Sequence, residues 1–150
     1  MPPMTVLNHL GHCVADLDRA RRFYVEAFGF EPWREIEPPD EGTAKLLGLP
    51  SPVGLTASYL RLGDFVLELL HYSGEPNRVT EPSRRTMREA GLTHLSFSVD
   101  VPATCAKVVE LGGEVLADTD IGAAVFVRDP DGQLLELLPT SYAENLAAEG

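Results

Sequence analysis

The hydrophobic pattern of the chain switches between the two periods of regular structure. Residues 6–14 are apolar and suited to an extended backbone, which predicts a strand. From Leu17 to Phe28, apolar side chains recur at three- and four-residue spacing, the period of an amphipathic helix. Asp16 offers an N-cap for this helix and Gly29 a C-cap. The chain is therefore predicted to begin with a strand followed by a helix.

The same pattern returns in the second half of the chain. Asn8-His9-Leu10-Gly11 has its counterpart in Thr93-His94-Leu95-Ser96, and the tetrapeptide Leu-Glu-Leu-Leu occurs at 67–70 and again at 135–138. A second helix is predicted between Asp100 and Gly112, with Pro102 in its first turn. We infer that the two halves are copies of one unit.

Short extended segments follow each predicted helix, and tight Gly/Asp turns join the last two of each set into hairpins. The segments are 31–36, 57–62 and 65–72 in the first half, and 114–117, 123–128 and 134–138 in the second. Each half therefore predicts the order βαβββ. The predicted fold class is α+β, with mixed sheets that we expect to pair into a cup or open barrel.

The same turn and loop signals predict the boundaries of the two modules. The modules are expected at 1–72 and 93–139, separated by a linker at 73–92 and followed by a C-terminal tail at 140–150. Residues 38–56, rich in proline and glycine, are expected to form an irregular excursion.

Charge and composition exclude several classes of partner. The 23 acidic and 12 basic residues give a formal net charge of −11, which disfavours binding to the phosphate backbone of nucleic acids. No apolar run approaches the roughly 20 residues that span a bilayer, and the first residues lack the pattern of a secretory signal. A cytoplasmic location and no membrane partner are the expectation.

Two histidines and two glutamates occupy equivalent positions in the two halves. His9 and His94 open the first strand of each copy, and Glu68 and Glu136 lie within the last, where both faces are apolar. Burying a carboxylate is costly unless it is paired, hydrogen-bonded or bound to a metal. A single histidine or glutamate is more often a surface or core residue, but the repetition favours one shared site. Its imidazole and carboxylate groups suit Zn, Ni, Co, Mn or Fe(II).

Motifs spread from about residue 6 to 139 resemble the vicinal oxygen chelate superfamily. This superfamily includes glyoxalase I, methylmalonyl-CoA epimerase, extradiol dioxygenases and fosfomycin or bleomycin resistance proteins. The matching segments are Asn8-His9-Leu10-Gly11, Leu67-Glu68-Leu69, Thr93-His94-Leu95, Asp129-Pro130-Asp131-Gly132 and Leu135-Glu136-Leu137. The resemblance implies paired βαβββ modules and one divalent metal ion held by His9, Glu68, His94 and Glu136, a ligand set most similar to that of glyoxalase I.

The resemblance also implies an activity. A metal-dependent lyase or isomerase is expected, which moves a proton next to a carbonyl with Glu136 or Glu68 as the base. Two alternatives stay open at this point: an Fe(II)-dependent dioxygenase on the same fold, and a non-enzymatic small-molecule binding or resistance protein.

The expected partner is a small-molecule substrate, which the cluster of Arg84, Arg85 and Arg88 could hold by an anionic tail if it is not simply a solvated surface. A homodimer is expected. The cup could lie within one chain or be shared between two.

Overall fold

A computed structural model describes residues 3–74 and 87–142 of the 150-residue chain. The chain divides into two compact units. Unit 1 comprises Met1–Arg21 and Gly29–Arg78, and unit 2 comprises Arg22–Phe28 and Val79–Gly150.

The first half of the chain forms a four-stranded sheet in the order β1-β4-β3-β2. Its elements are β1 (Leu10–Cys13), α1 (Leu17–Phe28), β2 (Glu31–Ile36), α2 (Asp40–Leu47), β3 (Leu55–Leu62) and β4 (Phe65–Tyr72). Strand β1 runs parallel to β4, and the other neighbours are antiparallel. The side chains of Leu60, Leu67 and Leu69 are fully buried and form the centre of this sheet's core.

The second half forms a four-stranded sheet of the same topology, in the order β5-β8-β7-β6. Its elements are β5 (Leu95–Val99), α3 (Val101–Glu110), β6 (Glu114–Leu116), a 3-10 turn (Ala117–Thr119), β7 (Val125–Arg128) and β8 (Leu134–Pro139). Strand β5 runs parallel to β8, and β8 is antiparallel to β7. Val127, Leu135 and Leu137 are fully buried in this sheet.

Two open mixed sheets with their helices confirm the α+β prediction, and each half contains the predicted strand, helix and three further strands in that order along the chain. Strand β1 is shorter than the predicted 6–14. Helix α1 matches the prediction at both ends, and Gly29 adopts the left-handed conformation (φ 77°) that lets the chain leave the helix.

The prediction of an irregular excursion at 38–56 is wrong for its first part, because α2 forms there. Asp40 and Glu41 place acidic side chains in the first turn, and Gly48 (φ 65°) ends the helix in the left-handed conformation. The Oδ1 atom of Asp40 also accepts hydrogen bonds from the backbone N–H groups of Val53 and Gly54, at 2.8 and 2.9 Å. This carboxylate ties the start of α2 to the chain that leads into β3.

Parts of the predicted linker and tail, residues 75–86 and 143–150, lie outside the described residues. Within residues 3–74 and 87–142, none of the helices has the length and apolar character needed to cross a membrane.

A buried hydrogen bond anchors the turn between β7 and β8 in unit 2. The hydroxyl of Tyr24, which is fully buried, donates to Oδ2 of Asp129 at 2.7 Å. The other oxygen of Asp129 accepts from the backbone N–H groups of Asp131 and Gln133, at 2.9 and 2.8 Å. The Asp-Pro-Asp-Gly motif thus uses its first aspartate to hold the hairpin turn. Burial, and then the charge of Asp129, raise the pKa of Tyr24 well above its ordinary value.

Removing this hydroxyl should destabilise the fold. We expect Tyr24→Phe to lower the free energy of unfolding by about 1–3 kcal/mol, because Asp129 loses its buried donor. The raised pKa adds a pH dependence: Tyr24 contributes stability that is present below its ordinary pKa of 10.0 and is lost as pH rises toward the folded value. Urea unfolding from pH 8 upward should therefore show a shallower alkaline loss for the variant than for the wild type. Tyr142→Phe, at an exposed tyrosine, is the matched control. Equal stability of the two variants would contradict this account.

Candidate functional site

Unit 1 brings together His9 and Glu68. His9 lies immediately before β1, and the parallel register of β1 with β4 sets Gly11 opposite Glu68. The Nε2 atom of His9 lies 3.5 Å from Oε1 of Glu68. The side chain of Glu68 is only 12% exposed, and that of His9 is 33% exposed. An almost buried carboxylate therefore faces an imidazole that solutes can reach.

Neighbouring polar groups hold both members of this pair. The Nδ1 atom of His9 is hydrogen-bonded to the side-chain oxygen of Asn8. Tyr59 lies opposite Glu68 on β3, its hydroxyl hydrogen-bonds to the Glu68 carboxylate, and its ring packs edge-on against His9 with centroids 5.8 Å apart. Burial, followed by this hydrogen bond and the charge of Glu68, raises the pKa of Tyr59 to about 12. Tyr59 is therefore a hydrogen-bond donor to Glu68 throughout the neutral pH range.

Unit 2 contains the equivalent pair, His94 and Glu136. His94 immediately precedes β5, and the register of β5 with β8 sets Ser96 opposite Glu136. The Nε2 atom of His94 lies 3.8 Å from Oε1 of Glu136, and both side chains are 25% exposed. The spacing along the chain and the parallel strand pairing thus give the same arrangement twice.

The second pair is also surrounded by side chains that hold it, but their chemistry differs from that around the first pair. Thr93 hydrogen-bonds through Oγ1 to Nδ1 of His94 at 2.8 Å. Ser96 donates from Oγ to Oε1 of Glu136 at 2.7 Å. Phe126 lies opposite Glu136 on β7 and packs edge-on against His94, with centroids 5.2 Å apart. The hydroxyl that holds the carboxylate therefore comes from β3 in unit 1 and from β5 in unit 2.

The donor atoms of each pair suit a bound cation. Asn8 holds Nδ1 of His9, so Nε2 is the ring nitrogen that faces Oε1 of Glu68. An imidazole nitrogen and a carboxylate oxygen in this arrangement can share a proton or a metal ion. For metal–ligand bonds of about 2.0–2.2 Å, neighbouring ligand atoms are roughly 2.8–3.6 Å apart. The 3.5 Å separation falls in this range, and the 3.8 Å separation of the second pair lies just above it. Imidazole nitrogen and carboxylate oxygen therefore fit a divalent ion in both units.

The structure places the four predicted ligands in two pairs, and their union in a single site stays a prediction. Of the predicted basic cluster, Arg84 and Arg85 lie outside the described residues, and Arg88 is exposed. Sequence reasoning missed the supporting roles of Tyr59 and Phe126, which depend on cross-strand register.

The sequence of this chain is similar to those of several known enzymes and matches one family along most of its length. Residues 6–137 match the model of the Glyoxalase/Bleomycin resistance protein/Dioxygenase superfamily. The metallothiol transferase FosB of Shouchella clausii is 26% identical over 94% of this chain and 84% of its own length. Lactoylglutathione lyase of Schizosaccharomyces pombe is 30% identical over 90% of this chain, which spans about half (47%) of that protein.

A solved structure agrees with the topology. Trypanothione-dependent glyoxalase I of Leishmania major superposes with a TM-score of 0.66 and 25% identity, covering 94% of this chain and 91% of its own. Because the family model spans nearly the whole chain and the fold agrees, the chain belongs to the glyoxalase, bleomycin resistance protein and dioxygenase superfamily, known also as the vicinal oxygen chelate superfamily.

Proposed function

We propose that His9, Glu68, His94 and Glu136 together hold one divalent metal ion, and that the protein is a glyoxalase-type lyase or isomerase that moves a proton next to a carbonyl. The observation that carries the proposal is the repeated geometry: in each unit a histidine Nε2 faces a glutamate Oε1, at 3.5 and 3.8 Å, while a neighbouring side chain holds the histidine Nδ1. Holding the second ring nitrogen is the usual way in which proteins orient a metal-binding imidazole.

A metal site with only two protein ligands would be weak, so we infer that both His/Glu pairs bind the same ion. Zinc and its neighbours among the transition metals take four or more ligands, so one His/Glu pair fills half of the smallest coordination sphere. The second pair supplies the same donors from equivalent positions. One chain or two copies of it in a homodimer could bring the pairs together, and both arrangements satisfy the proposal. The metal is one of Zn, Ni, Co, Mn and Fe(II).

A bound divalent ion would act as a Lewis acid that makes the C–H bond next to a substrate carbonyl more acidic. The protein then needs a base that reaches the substrate. Ser96 donates to Oε1 of Glu136, and that same oxygen is the one nearest His94. Within the described residues Oε2 of Glu136 has no donor, so it is available to take the proton and return it.

Glu68 is less suited to that role. Its side chain is half as exposed as that of Glu136, 12% against 25%, and Tyr59 donates a hydrogen bond to it. We therefore assign Glu136 as the catalytic base and Glu68 as a metal ligand that Tyr59 positions.

The relatives support an enzyme and suggest a second candidate. Lactoylglutathione lyase and glyoxalase I favour a lyase, whereas the similarity to the metallothiol transferase FosB over most of this chain favours a transferase. A small-molecule substrate is common to both candidates, and a cytoplasmic location stays a prediction.

Metal binding is the first test. After removal of metals with EDTA, the wild-type protein should take up one ion for each set of two His/Glu pairs, measured by equilibrium dialysis and elemental analysis against Zn, Ni, Co and Mn. His9→Ala and His94→Ala should each lower the affinity by about 100-fold or more, since even losing a supporting group costs about 10- to 100-fold. His71→Ala is the matched control, because His71 lies on β4 at the parity opposite to Glu68. Unchanged metal content in either His9→Ala or His94→Ala would contradict the proposed site.

The assignment of the base is tested by hydrogen exchange at saturating metal. We expect the wild type to exchange the reactive C–H of a hemithioacetal or of methylmalonyl-CoA with solvent deuterium, followed by NMR. Glu136→Gln should lower the rate about 100- to 10,000-fold, the typical contribution of a general base.

Glu110→Gln, at an exposed glutamate of α3, serves as the control and should exchange like the wild type. Full exchange activity in Glu136→Gln would refute the assignment. No exchange by the wild type, with consumption of oxygen and a catechol under Fe(II) or consumption of fosfomycin, would replace the proposed reaction by one of the alternatives.

The contact between Tyr59 and Glu68 should be visible in the titration of the Tyr59 hydroxyl. Glu68→Gln removes the charge that helps to keep the Tyr59 proton in place, so the pKa of Tyr59 should fall from about 12 toward its ordinary 10.0. The difference in ultraviolet absorbance between each protein and its Tyr59→Phe derivative isolates this titration. Glu31→Gln, at an exposed residue of β2, should leave it unchanged. An unaltered titration in Glu68→Gln would show that the two side chains are not in contact.

A further inference from the structure

Unit 2 contains a cavity of about 430 Å³ beside the His94–Glu136 pair. Two residues that support His94 also line the cavity: Thr93, which hydrogen-bonds to its ring, and Phe126, which packs against it. The volume falls within the range of about 300–1,000 Å³ that is typical of small-molecule sites. The cavity is therefore placed to hold the part of a ligand that extends away from this pair.

Most of the cavity wall is apolar. The large apolar side chains that line it are Met87, Leu92, Leu116, Phe126 and Leu134. Met87 and Leu92 are 51% and 83% exposed, which leaves apolar surface that a ligand could cover. The cavity thus favours an apolar body.

The polar side chains of the wall are mostly engaged with the protein itself. Thr119 donates to the carbonyl of Leu116 at 2.7 Å and accepts from the backbone N–H of Phe126 at 2.9 Å. Gln133 donates to the carbonyl of Leu134 at 3.1 Å. These internal hydrogen bonds fix the side chains of the cavity wall, so few hydrogen-bond donors are left for a ligand.

Arg128 is the exception. Of the five N–H donors of its guanidinium, the described structure engages one, from Nη1 to the carbonyl of Gly132 at 3.3 Å. Glu114 lies opposite Arg128 in the β6–β7 register, yet no ion pair joins the two. In the part of the chain that the structure describes, Arg128 has no carboxylate partner. A cation in an apolar cavity, with free donors in a planar fork, is a binding group for a carboxylate.

The strand geometry places Arg128 on the same side of β7 as the residue that faces Glu136. Phe126 and Arg128 share a face of β7, and Glu136 lies opposite Phe126. Two residues along a strand span about 7 Å, so the backbone of Arg128 lies one side-chain repeat away from that of Phe126. Both side chains line the same cavity.

We propose that this cavity binds a small organic carboxylate, with its carboxylate on Arg128 and its apolar body against Leu116, Phe126 and Leu134. As the substrate subsite of the enzyme, this role rests on the proposed function, and it defines a substrate in which an apolar body separates a carboxylate from the reacting carbonyl. Binding of the carboxylate itself requires no metal.

The test uses 4-phenylbutyrate and its neutral amide as probes, with the full chain in excess EDTA, by calorimetry or ligand-observed NMR. The wild type should bind the acid at least about tenfold more tightly than the amide, because only the acid pairs with the guanidinium. Arg128→Gln should reduce the two affinities to the same value. Arg22→Gln, which removes an equal charge from an exposed position on α1, should keep the preference. Met87→Ser should weaken both probes by a similar factor.

Equal affinities of the wild type for both probes, binding of neither, or a preference that survives in Arg128→Gln would overturn the proposal. If Arg128→Gln does not fold, salt dependence in the wild type decides. Affinity for the acid should fall with ionic strength while that for the amide stays constant, and a constant ratio would be contrary evidence. Because metal is absent throughout, failure here is distinct from failure of the metal site, which is tested by metal uptake of the same variants.

Discussion

Each sheet joins its first strand in parallel to its last, and the position of every candidate ligand depends on that pairing. In unit 1 the register sets Gly11 against Glu68, and in unit 2 it sets Ser96 against Glu136. The histidine two residues before each of these positions then points along the same face as the glutamate. A shift of one residue would turn each glutamate to the other face of its sheet and separate it from the imidazole. The apolar neighbours of Glu68, the fully buried Leu67 and Leu69, make that shift costly.

The two copies of the unit keep the ligand pair and exchange the groups around it. Tyr59 supplies a hydroxyl to Glu68, while its counterpart Phe126 has none and Ser96 supplies the hydroxyl to Glu136. Each carboxylate thus keeps one hydroxyl donor, as an enclosed carboxylate requires. Because unit 2 has Phe126 at the position of Tyr59, the face of unit 2 that carries the cavity and Arg128 is more apolar.

Much of the fold could be predicted from the sequence because its signals are local. The apolar period of α1, the turn at Gly63 and the Asp-Pro-Asp-Gly motif each act over a few residues, and the strands they delimit appear where expected. Helix α2 was not predicted, because the proline and glycine residues around it are typical of loops and its own apolar pattern is short. Its first residue, Asp40, makes contacts with Val53 and Gly54 that are distant in the sequence.

The candidate site was predictable only in part, for the same reason. Repetition along the chain predicted four candidate ligands, two histidines and two glutamates at equivalent positions. Tyr59 and Phe126 reach these pairs across antiparallel strands, so their roles depend on a register that hydrophobic pattern alone leaves undetermined. Arg128 directly precedes the Asp-Pro-Asp-Gly turn motif, and nothing in the sequence indicates that its side chain lines the wall of a cavity.

The central claim is that two equivalent pairs act as one metal site. Pulsed electron paramagnetic resonance of the Mn(II)-loaded protein, prepared with isotopically labelled histidine, tests it most directly because it counts the histidines bound to one ion. We predict coupling to two histidine nitrogens in the wild type and to one in either His9→Ala or His94→Ala. Coupling to one histidine or to none in the wild-type protein would contradict the account.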